Sequence, residues 1–360
     1  MLYKITEKIF QLEQKGEKIY KMNIGEPDWP SIPEAVDAAK KALDEGKTKY
    51  ASAQGEKELL QLAAKMHKCD TKNVIVSTGS KWAIFSAIYL NVKPDEEVIV
   101  FSPHWTAFEL MIKQAGAKPV IIDLKFEDKW AIDLEFLKSK IGPKTKMIIL
   151  NNPVNPTSHA WSEKVEQGII EIAKEKRVLV LLDTAYRGLA FDKMKDPVYD
   201  ENVIIAYSFA KPFGMTGWRL GHTCANEEIV KKMMKFNQIT LTNTPVFIQA
   251  AGIEMLKQRD SLGKKAVEYC KERAKVAMEI FDKGGMEYTK PKAGFYLFPK
   301  LNRSGIEVAN ELLDKYKIAV VPGAAFGNYD RFVRISLCYS GKTLEGIMEK
   351  IVEVSKCKLQ

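Results

Sequence analysis

The chain has 360 residues, 46% of them apolar and 28% charged, with a formal net charge of +9. That length exceeds one ordinary core and points to two domains in a soluble globular protein. No apolar run of roughly 18 residues occurs, so no membrane span is expected. The positive balance does not indicate nucleic acid, because lysines alternate with glutamates, as in Glu163-Lys164-Val165-Glu166, the pattern of a solvated helix face.

Leu2, Ile5, Ile9 and Leu12 are spaced by 3, 4 and 3 with charges between. This predicts an amphipathic first helix rather than a signal peptide. From about residue 70 to 225, apolar runs alternate with helical patterns. The runs are Val74–Val76, Val98–Phe101, Val120–Ile122, Met147–Leu150, Val178–Leu182 and Val203–Tyr207. They lack polar alternation, so both faces should be buried, as in a mainly parallel sheet covered by helices. A helical region from about Glu227 to Lys257 breaks near Thr244-Pro245. A helix-rich stretch then leads to two late apolar segments, Ala293–Phe298 and Phe332–Ser336. The five cysteines (Cys69, Cys224, Cys270, Cys338, Cys357) and four histidines lack metal-ligand spacing. They predict reduced thiols, a cytoplasmic setting and no metal site.

Polar residues cluster just after the predicted strands, where open α/β sheets form their ligand crevice. The most informative cluster is Ser208-Phe209-Ala210-Lys211-Pro212-Phe213-Gly214-Met215-Thr216-Gly217-Trp218-Arg219-Leu220-Gly221. A lysine amine past a buried strand can form a Schiff base with a carbonyl cofactor. Ser208 and Arg219 suit a phosphate, the arginine through its planar fork. Asp183 closes an apolar strand in Leu181-Leu182-Asp183-Thr184-Ala185-Tyr186, and Asn155 lies in Asn151-Asn152-Pro153-Val154-Asn155-Pro156-Thr157-Ser158. Thr78-Gly79-Ser80-Lys81 joins a strand to a helix starting near Lys81, and a helix N-terminus binds anions. No G-x-G-x-x-G follows the early strands, which disfavours a dinucleotide enzyme.

These motifs, in this order, resemble those of the class I/II aminotransferases, which are fold type I pyridoxal 5′-phosphate (PLP) enzymes. Two positions depart from the family pattern: Ala210 replaces a common serine and Ser158 a glycine. The resemblance implies an α/β fold with a mainly parallel sheet, helices on both faces of a large domain, and a smaller α+β domain. Residues 21–255 would form the large PLP-binding domain; 1–20 and 256–360 would form the small one. It implies that Lys211 carries PLP and moves a proton as general acid and base. Asp183 would face the pyridine nitrogen, Tyr186 and Asn155 the phenolic oxygen, and Trp105 the ring. Gly79, Ser80, Lys81, Ser208 and Arg219 would hold the phosphate, together with Tyr50 reaching across from a neighbouring subunit. Gly25 would belong to the substrate loop, alongside Trp105 and Asn155. Arg334 would bind the α-carboxylate, with Arg331 on the opposite face of its strand.

The implied function is amino-group transfer between an L-amino acid and a 2-oxo acid in a homodimer with shared active sites. A PLP lyase on the same fold is the alternative reading, and a non-catalytic PLP-binding regulator a third. For the amino donor, Trp29, Trp82, Trp105 and Phe108 suggest an apolar side-chain pocket for a neutral or aromatic amino acid, with glutamate and 2-oxoglutarate as the other pair. Aspartate is the competing choice, its distal carboxylate held by a lysine or polar loop. Arginine is scarce, 8 against 47 lysines. Arg187, the remaining arginine in a motif, sits at a strand-to-loop exit.

Overall fold

The computed structural model describes residues 2–356, with side chains from residue 7 onward. The side chains of Leu2 and Ile5, and Cys357, lie outside the described residues. Twelve strands are formed among the described residues: β1 (Tyr20–Lys21), β2 (Val74–Ser77), β3 (Glu97–Ser102), β4 (Lys118–Asp123), β5 (Thr145–Asn151), β6 (Leu179–Asp183), β7 (Val203–Ser208), β8 (Gly221–Cys224), β9 (Tyr296–Leu297), β10 (Ile318–Ala319), β11 (Val321–Pro322) and β12 (Val333–Ser336). The helices are α1 (Leu2–Gln14), α2 (Pro33–Asp44), α3 (Lys57–His67), α4 (Gly79–Asn91), α5 (Ala107–Gln114), α6 (Leu134–Lys140), α7 (Glu163–Glu175), α8 (Glu227–Thr240), α9 (Val246–Lys257), α10 (Arg259–Gly284), α11 (Gly305–Tyr316) and α12 (Gly341–Lys356).

Seven strands build the main sheet in the order β2-β8-β7-β6-β5-β3-β4. All are parallel except β8, which runs antiparallel to both β2 and β7. The period-two geometry of a strand explains the non-alternating apolar runs. Val98 and Val100 face one core with Ile149, Leu181 and Ile204. Ile99 and Phe101 face the other with Ile148, Val180, Leu182 and Ile205. Helices α4 and α8 cover the first face. The edge strand β4 departs from the predicted two-sided burial: Ile121 is exposed and only Ile122 of its six residues is buried.

β8 was not expected. Its residues Gly221-His222-Thr223-Cys224 carry no apolar β-branched run, yet all four are buried between two neighbours. The break near Pro245 falls between α8 and α9, where proline lacks an N–H to continue a helix. Helix α4 begins at Gly79, two residues before the expected Lys81.

A second apolar cluster packs α10, α11 and α12 against β9 and β12, and takes in Met22 and Tyr186. β1 pairs in parallel with β10, so the N-terminal segment joins residues almost 300 positions later. Ile9 and Leu12 of α1 pack with Leu313 and Ala319. No helix among the described residues is long and apolar enough to cross a membrane.

Candidate functional site

The carboxyl ends of β2, β3, β5, β6 and β7 release the loops that carry Gly79, Trp105, Asn155, Asp183 and Lys211. Parallel strands align these ends on one edge, so residues over 130 positions apart in sequence converge there.

Lys211 follows β7, and its Nζ donates to the Gly25 carbonyl oxygen. Burial lowers the amine's pKa to about 8, with further depression from the charges of Arg334, Arg219 and Lys81. A larger neutral fraction makes it a better nucleophile and base. Asp183, at the end of β6, is buried and accepts one hydrogen bond, from the Ala185 N–H at 3.0 Å. It has no ion pair among the described residues. Desolvation pushes its carboxyl up to about 6, against the opposing pull of the Ala185 N–H and Lys211. An acid buried without a cationic partner needs a donor, and a pyridine N–H supplies one.

Tyr186 and Tyr296 join hydroxyl to hydroxyl at 2.8 Å, both buried. Burial, then the neighbouring Tyr296, raise the Tyr186 pKa well above the usual phenol value. Arg334 lies on β12 and is buried. It donates to Asn155 Oδ1 at 3.0 Å and to the Asn23 carbonyl at 2.6 Å. Its guanidinium stands 4.5 Å from the Tyr296 ring centre and 5.2 Å from that of Phe326. Its Nε is buried without a partner, leaving a donor to spare. Asn155 is held in turn by its N–H to Asn151 Oδ1 at 2.9 Å.

The residues expected to hold a phosphate also meet. Gly79 takes φ +76°, and a Cβ there would lie 2.5 Å from the Arg219 guanidinium, so only glycine lets this arginine close over the start of α4. Arg219 is fastened by a bond from its guanidinium to the Thr216 carbonyl at 2.7 Å. Thr78, which precedes α4, provides no side-chain cap, leaving the first N–H groups of that helix open to an anion. Ser208 ends β7 beside them, paired in register with Gly221. The exposed Lys81 ammonium stands 5.1 Å from the Trp105 ring centre and makes no ion pair among the described residues. The open helix start, the Arg219 guanidinium over it and the unpaired buried acid together fit PLP.

Some expectations did not come together. Trp29 stacks on Tyr269, Trp82 on Phe236, and Trp105 contacts Phe108. These direct ring contacts fall in three groups, and no ring pair among the described residues joins Trp29, Trp82 and Trp105 to one another. Arg187 faces neither solvent nor a ligand: it is buried and forms a two-pronged pair with Glu166 at 2.9 and 3.1 Å. Glu166 also accepts from Asn152 Nδ2 at 2.8 Å, so this pair braces the Asn-Pro loop from behind. Arg331 precedes β12 rather than sharing it; it is exposed and donates to the Leu301 carbonyl. Tyr50 is 89% exposed and touches none of the other predicted residues of its own chain.

Sequence reasoning missed Tyr296, Asn23 and Asn151. Tyr296 was visible only as part of an apolar run, and nothing local indicated that its hydroxyl returns to Tyr186, 110 residues earlier. The Asp28–Arg273 pair, whose longer bond is 2.8 Å, was also not foreseen; it ties the loop of Gly25 to α10. At Gly25 itself, a Cβ would collide with the Tyr296 hydroxyl, so the loop's close approach requires glycine.

The sequence pattern of the family described as Aminotransferase class I and II matches residues 17–351. An aspartate aminotransferase of Sulfurisphaera tokodaii is 35% identical, over 87% of this chain and 83% of its own. An aromatic-amino-acid aminotransferase of Thermococcus litoralis is 32% identical, over 98% and 95%. Among solved structures, a double mutant of Thermus thermophilus aspartate aminotransferase superposes with a TM-score of 0.92. It is 27% identical and covers 98% of this chain and 96% of its own.

Proposed function

The chain belongs to the class I and II aminotransferases, and from that premise we propose that it binds PLP at the carboxyl edge of its main sheet and takes a dicarboxylic amino acid as donor. It moves an amino group between an L-amino acid and a 2-oxo acid, as the family does. The cofactor, its ligands and the donor are our reading. The observation that carries the cofactor site is the buried, unpaired Asp183 facing the depressed amine of Lys211.

Arg219, Ser208 and the open N–H groups at the start of α4 would hold the phosphate. Asp183 would pair with the pyridine N–H, Tyr186 and Asn155 with the phenolic oxygen, and Trp105 would flank the ring. Bound there, PLP supplies an electron sink for negative charge at the substrate Cα. Lys211, with its depressed amine pKa, would take the proton from the substrate Cα and hold it on its amine, as general base and then general acid. Arg334 holds the substrate α-carboxylate with its fork, steadied by Asn155 and the two aromatic rings. Tyr296 steadies the hydroxyl of Tyr186. The loop of Gly25 covers Lys211 and excludes water.

Lys81 supports the dicarboxylic donor. Lys211, Arg219 and Arg334 at this edge also lack ion pairs among the described residues but already have roles; Lys81 takes none of those roles, and it lies near enough to depress Lys211. Arg187, the competing cation, is already saturated by Glu166. We also propose the division into residues 21–255 and residues 1–20 with 256–360, supported by the β1–β10 pairing. A homodimer follows from Tyr50, whose exposed ring suits a role in a second copy's site. Half-reactions with purified protein and a panel of amino acids test the donor. Aspartate and glutamate should lead, and should lose that lead in Lys81→Ala. A neutral or aromatic amino acid tenfold better in kcat/KM would overturn the proposed donor.

A further inference from the structure

The sulfur atoms of Cys69 and Cys224 lie 3.5 Å apart although 155 residues separate them. Cys69 follows α3. Lys68 takes φ +54° there, the chain turns, and the Cys69 N–H closes on the Ala64 carbonyl at 3.0 Å. Cys224 ends β8 and is fully buried. Cys69 is only partly covered and opens onto a surface depression beside Gln61, Lys65 and Thr71. One sulfur of the pair is thus reachable from solvent and the other is not.

A second cross-link of the same two segments lies two residues earlier on each. His67 Nε2 and His222 Nε2 are 2.9 Å apart, and His67 Nδ1 lies 2.8 Å from the Pro197 carbonyl. A carbonyl only accepts, so His67 carries its proton on Nδ1 and its Nε2 accepts from His222. His222 Nδ1 is then bare, consistent with its lacking any partner. Burial pushes both imidazoles toward the neutral form, so this rung persists at neutral pH. The His222 ring also stacks on Tyr207 at 4.5 Å. The histidine rung holds the end of α3 and β8 in register, which keeps the two sulfurs opposed.

We propose that Cys69 and Cys224 are an oxidative modification site for small hydroperoxides, closing to a disulfide that braces β8 against the end of α3. The Cys69 thiolate attacks a peroxide oxygen; the O–O bond breaks, the leaving oxygen departs as water, and Cys69 becomes a sulfenic acid. The Cys224 sulfur then attacks the Cys69 sulfur. The S–O bond breaks, and the second oxygen leaves as water with the Cys224 proton. Two thiols have lost two electrons and two protons, and one hydrogen peroxide has accepted both. The order of attack follows from access: Cys69 is partly exposed and Cys224 is buried, and the contact between the sulfurs lowers the Cys69 pKa and raises that of Cys224. A disulfide needs about 2.05 Å, so the sulfurs must approach by roughly 1.5 Å. Cys270 and Cys338 have no sulfur partner among the described residues, and burial pushes both thiols up to about 12.

The bond would leave catalysis intact. Gly221 pairs with Ser77 and Ser208 at the site end of β8, whereas Cys224 pairs with Val74 and Ile205 at the other end, roughly 10 Å away. The test treats purified protein with hydrogen peroxide, blocks the remaining thiols, and maps peptides without reduction. The expected result is a cross-linked peptide joining 69 and 224, loss of two titratable thiols, and a Tm raised by roughly 5 °C that a reductant reverses. Transamination should be unchanged. Cys69→Ser should leave Cys224 unmodified, and Cys224→Ser should let Cys69 run on to the sulfinic acid. Melting curves of both reduced variants check that they fold. Oxidation of wild-type Cys69 to the sulfinic acid without the cross-link would overturn the proposal. So would a bond from Cys69 to Cys357 or between chains, no thiol loss, or an unchanged Tm.

Discussion

Arg334→Leu separates the roles assigned to this arginine. In the wild type it is 6% exposed, donates to Asn155 and Asn23, and keeps a buried Nε with no partner. A substrate carboxylate docking on this fork would be a desolvated, hydrogen-bonded charge pair. Removing one member of such a pair costs about 2–5 kcal/mol. At ~1.4 kcal/mol per tenfold, kcat/KM should fall by roughly 30- to 4,000-fold. The change has a second signature. Arg334 is the leading charge among the causes that hold the Lys211 amine at about 8. Its loss should raise that pKa, so that capture of PLP by the apoprotein shifts to higher pH. Arg334→Lys should keep Lys211 depressed, because the charge remains, yet recover little kcat/KM, because the two-pronged geometry is lost. The assays are single-turnover half-reactions and the pH profile of PLP capture. A loss below threefold in kcat/KM, or an unchanged pH profile in the leucine variant, would refute the reasoning.

Asp183→Asn should stabilise the apoprotein while nearly abolishing half-reactions. The folded-state pKa of Asp183 is raised from 3.8 to about 6, so the folded state holds the proton more tightly and stability falls as pH rises from about 4 to 6. Above that window the variant should gain about 3 kcal/mol in urea melts, with no gain near pH 3; equal stability at pH 7 would count against it. Lys211→Ala should still bind PLP through the phosphate contacts but lose its visible absorption band and all turnover; wild-type turnover would remove Lys211 from the mechanism. Tyr50→Phe mixed with Lys211→Ala should form hybrids in which one site is doubly damaged and the other intact. About a quarter of wild-type activity should return under random pairing, and no recovery would place Tyr50 outside a shared site.

The parts of this protein that were legible in its sequence are local. A buried strand announces itself through consecutive Val, Ile and Leu, as in β3, β5, β6 and β7, because both of its faces lie against helices. The residues that follow such strands inherit a position at the carboxyl edge, so Asp183, Asn155, Gly79 and Lys211 could be assigned to one crevice before any coordinates were known. Tertiary structure decided whatever depends on partners distant in the chain. β8 is a strand because β2 and β7 hydrogen-bond it from both sides, although His222 and Thr223 give no apolar signal. Arg187 is a brace rather than a ligand because Glu166 of α7 meets it behind the loop. Trp29, Trp82 and Trp105 each pack on a neighbour, distant or local, that their own segments do not announce: Tyr269, Phe236 and Phe108. Tyr296 meets Tyr186, and Cys69 meets Cys224, through chain closures of more than 100 residues. Local propensity cannot encode such closures, because their geometry comes from the packing of the whole sheet and its helices.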